Sequence, residues 1–315
     1  MSYFLFKRIL TLIATLVATS VIVFSVLEVL PGNAAQVLMG PDADPAAVEA
    51  KARELGMDQP AMTRYAHWVG GLARGDMGLS YAYGSPVSEL IAERLTVTVP
   101  LAVMAMLLTV LLALGVGVYA AARHNRLGDV GLMTLAQIGI AIPNFWFALL
   151  LVYVFAVTLR LVPAGGFPGW QAGLWTGFKA LLMPAVALAL PQAAILARVT
   201  RSAMVETLGE DYIRTARAKG LPERTVLWGH ALRNALIPVL TILGLQFAFL
   251  LAGTIIIENV FYLPGLGRLV FQAITQRDLI VVESVVMLLV AAVILVNLLV
   301  DLSYALVDPR LRHRR

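Results

Sequence analysis

No cysteine occurs among the 315 residues, which excludes a disulfide framework, a zinc–thiolate site and a cysteine nucleophile while leaving the compartment open. Charge is scarce as well: 14% of the chain is Asp, Glu, Lys or Arg, where soluble domains carry roughly 25%. There is no G-x-x-x-x-G-K-S/T phosphate loop and no H-E-x-x-H metal motif, so the chain cannot hydrolyse ATP through a P-loop and no cofactor is expected. His67, His124, His230 and His313 stand in different segments without ligand spacing. No internal repeat and no low-complexity tract is present. What the chain does have is apolar residues, 60% of the total against the usual ~45–50%, with a mean hydropathy of +0.84. The composition predicts an all-α polytopic membrane protein. It argues against disorder, a coiled coil and a nucleic-acid partner. The net charge of +5 belongs, in such a chain, to cytoplasmic loops.

A helix needs about 20 mostly apolar residues to cross a ~30 Å hydrocarbon core. Six stretches qualify, 10–27, 95–122, 130–159, 180–197, 235–257 and 284–300; with their helical ends they run to about 9–30, 95–122, 130–159, 180–201, 235–257 and 281–305. Pro143 lies near the middle of the third, and Pro184 and Pro191 inside the fourth. Such prolines are tolerated where neighbouring helices re-satisfy the freed carbonyls, so they predict a packed bundle. The first stretch exceeds the ~7–15 residues of a signal-peptide core, and no A-x-A site follows Leu30-Pro31-Gly32, so it reads as a retained span. With the N-terminus inside, the inner segments hold fifteen Lys and Arg residues and the two short outer segments four. This bias predicts two cytoplasmic termini.

The polar segment 31–94 then lies outside. Pro41–Pro45 reads as a turn, 46–55 as a helix stopped at Gly56, and 62–72 as a second helix. The result is a small ordered lobe. The inner loop 202–234 is the most informative. Met204, Leu208, Tyr212 and Ala216 recur at i+4 as one stripe of a surface helix, with acids early and Arg217 and Lys219 late. Gly220 supplies the stop, and Pro222 starts a second short helix running to about Arg233. Two readings are open, a helix pair resting on anionic lipid and a docking element for a partner protein. The interleaving of acids and bases favours docking.

The run Asp211-Tyr212-Ile213-Arg214-Thr215-Ala216-Arg217-Ala218-Lys219-Gly220-Leu221 resembles the coupling loop, or EAA loop, of ABC importer permeases, in the form used by dipeptide, oligopeptide and nickel permeases. The resemblance continues through His230-Ala231-Leu232-Arg233-Asn234-Ala235 to Pro238. It includes Glu258-Asn259-Val260-Phe261 with Pro264-Gly265-Leu266-Gly267, Pro143-Asn144-Phe145-Trp146, Leu55-Gly56-Met57-Asp58-Gln59-Pro60, and Asp308-Pro309-Arg310. Three positions depart from the pattern. Arg214-Thr215-Ala216 stands where the generic loop has Glu-Ala-Ala, Arg233 replaces the proline of its ending, and Asn33 stands where relatives commonly have Asp.

The resemblance implies a type I importer permease fold in a bacterial inner membrane, divided into 1–94 (first span and outer lobe), 95–307 (permease domain) and a basic tail, 308–315. It implies a non-catalytic subunit that forms half of a pathway with a second, homologous permease as a heterodimer. Two ABC ATPase subunits would bind beneath, and a solute-binding protein would deliver substrate from outside. Arg214, Thr215, Ala216, Arg217, Lys219, Gly220, His230 and Arg233 become the coupling residues. Among these, Gly220 permits the turn, Ala216 allows close packing, and Arg214, Arg217 and Lys219 pair with partner acids. Dipeptides, oligopeptides, nickel chelates and glutathione-like molecules are all compatible substrates. Carboxylates at span ends (Glu28, Glu258, Glu283, Asp301) read either as functional groups or as solvated interfacial ones; Glu258 with Asn259 ranks first. Asn144 and Phe145, after Pro143, mark a pathway-facing kink or ordinary packing. Trp68, Tyr81, Tyr83, Trp170 and Trp175 read as interfacial anchors. An intramembrane enzyme lacks its Ser/His or paired-Asp constellation, and a proton-coupled carrier lacks mid-span carboxylates and a broken-helix repeat.

Overall fold

The structure, a computed structural model, describes residues 2–29, 34–40 and 42–307. Pro31, Gly32, Asn33, Pro41 and the tail 308–315 lie outside the described residues, as does the side chain of Asp301. The described elements are helices: α1 (Ser2–Val29), α2 (Ala34–Met39), α3 (Pro45–Glu54), α4 (Ala61–Leu72), α5 (Val87–Ala122), α6 (Leu127–Ala141), α7 (Asn144–Leu151, continued as a π-helix over Val152–Thr158), α8 (Leu174–Leu208), α9 (Asp211–Ala218), α10 (Glu223–Thr225, continued as a π-helix over Val226–Ala231), α11 (Leu232–Val260), α12 (Leu266–Thr275) and α13 (Leu279–Val307).

Five helical runs are long and apolar enough to cross a bilayer: Arg8–Val29, Val87–Ala122, Leu174–Leu208, Glu223–Val260 and Leu279–Val300. The expected third span, 130–159, is instead a pair of helices bent by 103° at Ile142-Pro143, and the count reaches six when that pair is taken as one broken span. The cause is local. A residue before proline is driven from the α region; Ile142 takes φ −84°, ψ 124°, and Pro143 itself has ψ 136°. Two extended residues in succession end one helix and start another.

The chain divides into two compact units, 1–98 with 264–294, and 99–263 with the residues from 295 on. In the first unit Asp44 caps α3 by accepting the Ala46 N–H at 3.1 Å, and Pro45 occupies the first helical turn as its fixed φ favours. α4 lies against α1 through a Ser20–Tyr65 hydroxyl bond of 2.9 Å and a cluster of Phe24, Tyr65 and Trp68 rings. Trp68 is thus a packing residue of this unit. Val87, Ile91, Leu269, Val270, Val281 and Val285 form the unit's core. The 80–82 turn is held by Asp278, whose Oδ2 accepts from Ser80 Oγ (2.5 Å) and Ala82 N–H (3.0 Å). Thr98 Oγ1 accepts the Leu266 N–H that opens α12.

In the second unit α8 is the enclosed helix: 61% of its apolar window is buried, which matches a proline-bearing helix surrounded by neighbours. Gln246 of α11 donates to the Gln192 carbonyl at 3.0 Å. α5 approaches α8 closely at Gly117, where a Cβ would stand 2.6 Å from Thr200 Cβ. Trp170 packs between Phe167 and Phe178, while Trp175 is exposed.

Candidate functional site

The expected surface helix carrying Met204, Leu208, Tyr212 and Ala216 on one stripe is not what forms. α8 runs on to Leu208, the chain breaks at Gly209-Glu210 (Glu210 ψ 148°), and α9 starts afresh at Asp211. The break resets the helical phase, so Ile213 and Ala216 turn inward while Tyr212 is exposed. Those two residues pack on Met204, Val226, Ala231 and Leu232, and on Val118 and Ala121 of α5. The Tyr212 hydroxyl accepts from Asn234 Nδ2 at 2.6 Å, tying α9 to α11.

At the C-terminus of α9 the Lys219 N–H bonds the Thr215 carbonyl, the Gly220 N–H the Arg217 carbonyl, and the Leu221 N–H the Ala216 carbonyl. Gly220 sits at φ +76°, the left-handed stop that glycine accommodates. Pro222 precedes the next helix as its N-cap rather than occupying its first helical position. That helix does not end near Arg233 but continues through the π-turn into α11.

Of the basic residues expected to face a partner, two are already paired within the hairpin. Arg214 meets Asp211 at 3.1 Å. Arg217 grips Glu223 across the turn with two bonds, 2.7 and 3.2 Å, and that bond to Glu223 raises the guanidinium pKa further. The Thr215 hydroxyl turns back to the Asp211 carbonyl. Lys219, Arg224 and Arg233 are exposed and make no ion pair among the described residues; His230 is half-buried.

Between α6 and α8 lies a cluster that sequence reading passed over. Asp129, 1% exposed, receives Arg201 through Nε (2.5 Å) and Nη2 (2.6 Å) and the Asn125 N–H (2.8 Å). His124 Nδ1 lies 3.0 Å from Arg201 Nη2. The local signal was an aspartate in the first turn of α6 after a left-handed Asn125 (φ 60°); its partner 72 residues away had none.

The pathway candidates lie on α7 and α11. Asn144 opens α7 beside Gly253 of α11, where a Cβ would be in ordinary contact with Asn144 Nδ2 at 3.7 Å and crowd Leu188 Cδ2 at 3.0 Å. Phe145 is 48% exposed. Glu258 is fully buried in the last turn of α11, and its carbonyl accepts the Leu263 N–H at 2.8 Å. Asn259 uses its amide on the Ile255 carbonyl. The turn beyond them is locked: Gly166 N–H bonds the Phe261 carbonyl at 2.7 Å, and a Cβ on Gly165 would stand 2.4 Å from that oxygen.

Long apolar helices, with a self-packed charged hairpin between two of them, mark a multi-pass membrane protein. The chain belongs to the family of binding-protein-dependent transport system inner membrane components, which it matches over residues 113–313, with the family's N-terminal region matched over 1–102. It is 41% identical over 313 residues to a protein of Brucella abortus described as a peptide transport system permease, covering 99% of this chain and 100% of that one. To the glutathione transport system permease protein GsiC of Escherichia coli K12 it is 40% identical over 311 residues, 99% of each chain. Its fold is similar to that of the inward-facing MetNI methionine ABC transporter, at a TM-score of 0.55 and 18% identity, over 70% of this chain and 97% of that one. The protein is therefore a permease subunit and not an enzyme. A subunit of this family works with an ATPase and a solute-binding protein.

Proposed function

We propose that the chain forms half of the translocation pathway of an ATP-driven importer of short peptides, in a heterodimer with a second, homologous permease. Two ATPase subunits dock on the hairpin 211–233, which lies on the cytoplasmic side together with both termini and the tail 308–315. The segment 31–94 faces outward, where the solute-binding protein delivers its load, and 95–307 is the permease domain. The observation that carries the docking role is the direction of burial in α9. A lipid-resting helix turns its apolar face to the bilayer, but Ile213 and Ala216 are spent on the protein's own core. The exposed tip is left to Lys219, Leu221 and Arg224. Coupling contacts then fall to this tip and to Gly220's turn more than to Arg214 and Arg217, which are paired internally. Asn144, Phe145, Glu258 and Asn259 are assigned to the pathway or its gate.

The peptide substrate is supported by the Brucella relative's description. A glutathione-like substrate is the second reading, favoured by the identity to GsiC. The deciding experiment is uptake by proteoliposomes holding the chain, its partner permease, the ATPases and the binding protein. Labelled dipeptide accumulates and unlabelled glutathione does not compete, or the reverse. Accumulation of neither, while ATP is hydrolysed, refutes the substrate reading.

A further inference from the structure

The first unit encloses a cavity of about 360 Å³ between the end of α1, α4, the 76–81 turn and the start of α13. Its charged lining is unevenly matched. Glu28 is ion-paired with Arg64, and Asp76 accepts the Gly78 N–H at 2.9 Å. Glu283 lines the same cavity, is only 6% exposed, and accepts no hydrogen bond among the described residues. A buried carboxylate without a hydrogen-bonded partner is costly. The donors Arg64 Nε and Trp68 Nε1 are likewise buried with no acceptor among the described residues. Trp68 is stacked with Phe24, another lining residue, at a centroid distance of 6.3 Å. The Tyr81 hydroxyl, pushed up to about 12 by burial and by the nearby Glu283 and Asp278 carboxylates, stays neutral and adds no anion.

The unmet groups are thus one carboxyl acceptor and two N–H donors beside an aromatic wall. We propose that this cavity binds the free amino end of a short peptide, the ammonium pairing with Glu283 beside the Phe24–Trp68 rings and the first carbonyl oxygen accepting from Arg64 or Trp68. A metal ion fits less well, because no three His, Asp or Glu side chains converge among the described residues, whereas an aromatic face attracts an organic ammonium. The volume lies at the small end of the ~300–1,000 Å³ range of ligand pockets, room for an end group rather than a long chain. The inference rests on the peptide reading for its ligand, and it uses none of the residues assigned to the pathway.

The test uses the full chain assembled with its partner subunits in lipid nanodiscs and equilibrium dialysis of two probes, Ala-Ala amide and its N-acetyl counterpart. Acetylation removes the charge and is expected to weaken binding about tenfold or more, the worth of a hydrogen bond to a charged group. Glu283→Gln should weaken Ala-Ala amide by a similar factor, Glu283→Asp should retain part of the affinity, and Trp68→Phe should weaken it less. Equal binding of the two probes, or an unchanged affinity in Glu283→Gln at matched assembly by size exclusion, overturns the site. Should Glu283→Gln fail to assemble, the acetylation and Trp68→Phe arms decide. Uptake in proteoliposomes separates the two readings. Peptide uptake without a Glu283 effect on binding removes the site and keeps the transport reading. Glu283-dependent binding of Ala-Ala amide without peptide uptake does the opposite.

Discussion

A valine at residue 220 would carry its Cβ into open space, since nothing lies within 4 Å of that position; what it would not hold cheaply is φ at +76°. The left-handed region costs a non-glycine residue roughly 1–2 kcal/mol, and Asn is the tolerated exception. Gly220→Val is therefore expected to lose ATPase co-purification and uptake at matched membrane abundance, while Gly220→Asn keeps both. Normal uptake in Gly220→Val would sink the coupling role. Arg217 should behave differently. It and Glu223 are 43% and 56% exposed, and such pairs contribute about 0–1 kcal/mol. Charge reversal at Arg217 alone should reduce uptake mildly, and Arg217→Glu with Glu223→Arg should restore it. Gly220 was legible in the sequence because a glycine after a helix and before a proline is a local stop signal. The Arg217–Glu223 pair was not, because residues six apart meet only once the turn has been made.

Among the helices, Asp129 and Arg201 join the start of α6 to the far end of α8. Breaking a buried pair costs about 3–5 kcal/mol, and because Arg201 is 24% exposed the figure for Asp129→Ala is set lower, at about 2 kcal/mol. A thermal melt of the purified complex should show that loss, with Asp129→Ala/Arg201→Met recovering part of it; a double variant no better than the single one would deny the pairing its role. Gly117 sets how closely α5 and α8 approach. Unlike Gly220 its limit is space, so Gly117→Val should cost about 1–3 kcal/mol by overpacking in the same melt, and an unchanged melt would mean the crossing yields. Apolar runs announced these helices, but their ends were misplaced. α8 continues past Arg201 to Leu208 and α5 begins at Val87, because a helix carrying polar residues persists wherever its neighbours pack against it. At Pro143 the kink was one of two open readings, but the apolar run gave no sign that the bend would reach 103°.

For the whole molecule the testable property is orientation. The fifteen-to-four basic bias predicts the hairpin inside, and on that proposal Ala47→Cys should react with a membrane-impermeant thiol reagent in intact cells and Arg224→Cys should not. The opposite pattern would invert the topology and take the docking surface away from the ATPases. The chain purified alone should hydrolyse no ATP.

Composition and apolar run length are sums over neighbouring residues, and by themselves they determined that the protein is a helical membrane protein and which segments join its spans. The Gly220 turn belongs with them, because helix hydrogen bonds close within four residues and only the local backbone decides a left-handed stop. The tertiary structure alone decided which distant groups meet. Asp278 holds Ser80 from 198 residues away, Arg201 finds Asp129, α12 joins the N-terminal unit, and Glu283 is left facing a cavity whose other walls come from α1, α4 and the 76–81 turn. Such meetings depend on how the segments pack, and no window of sequence contains both partners.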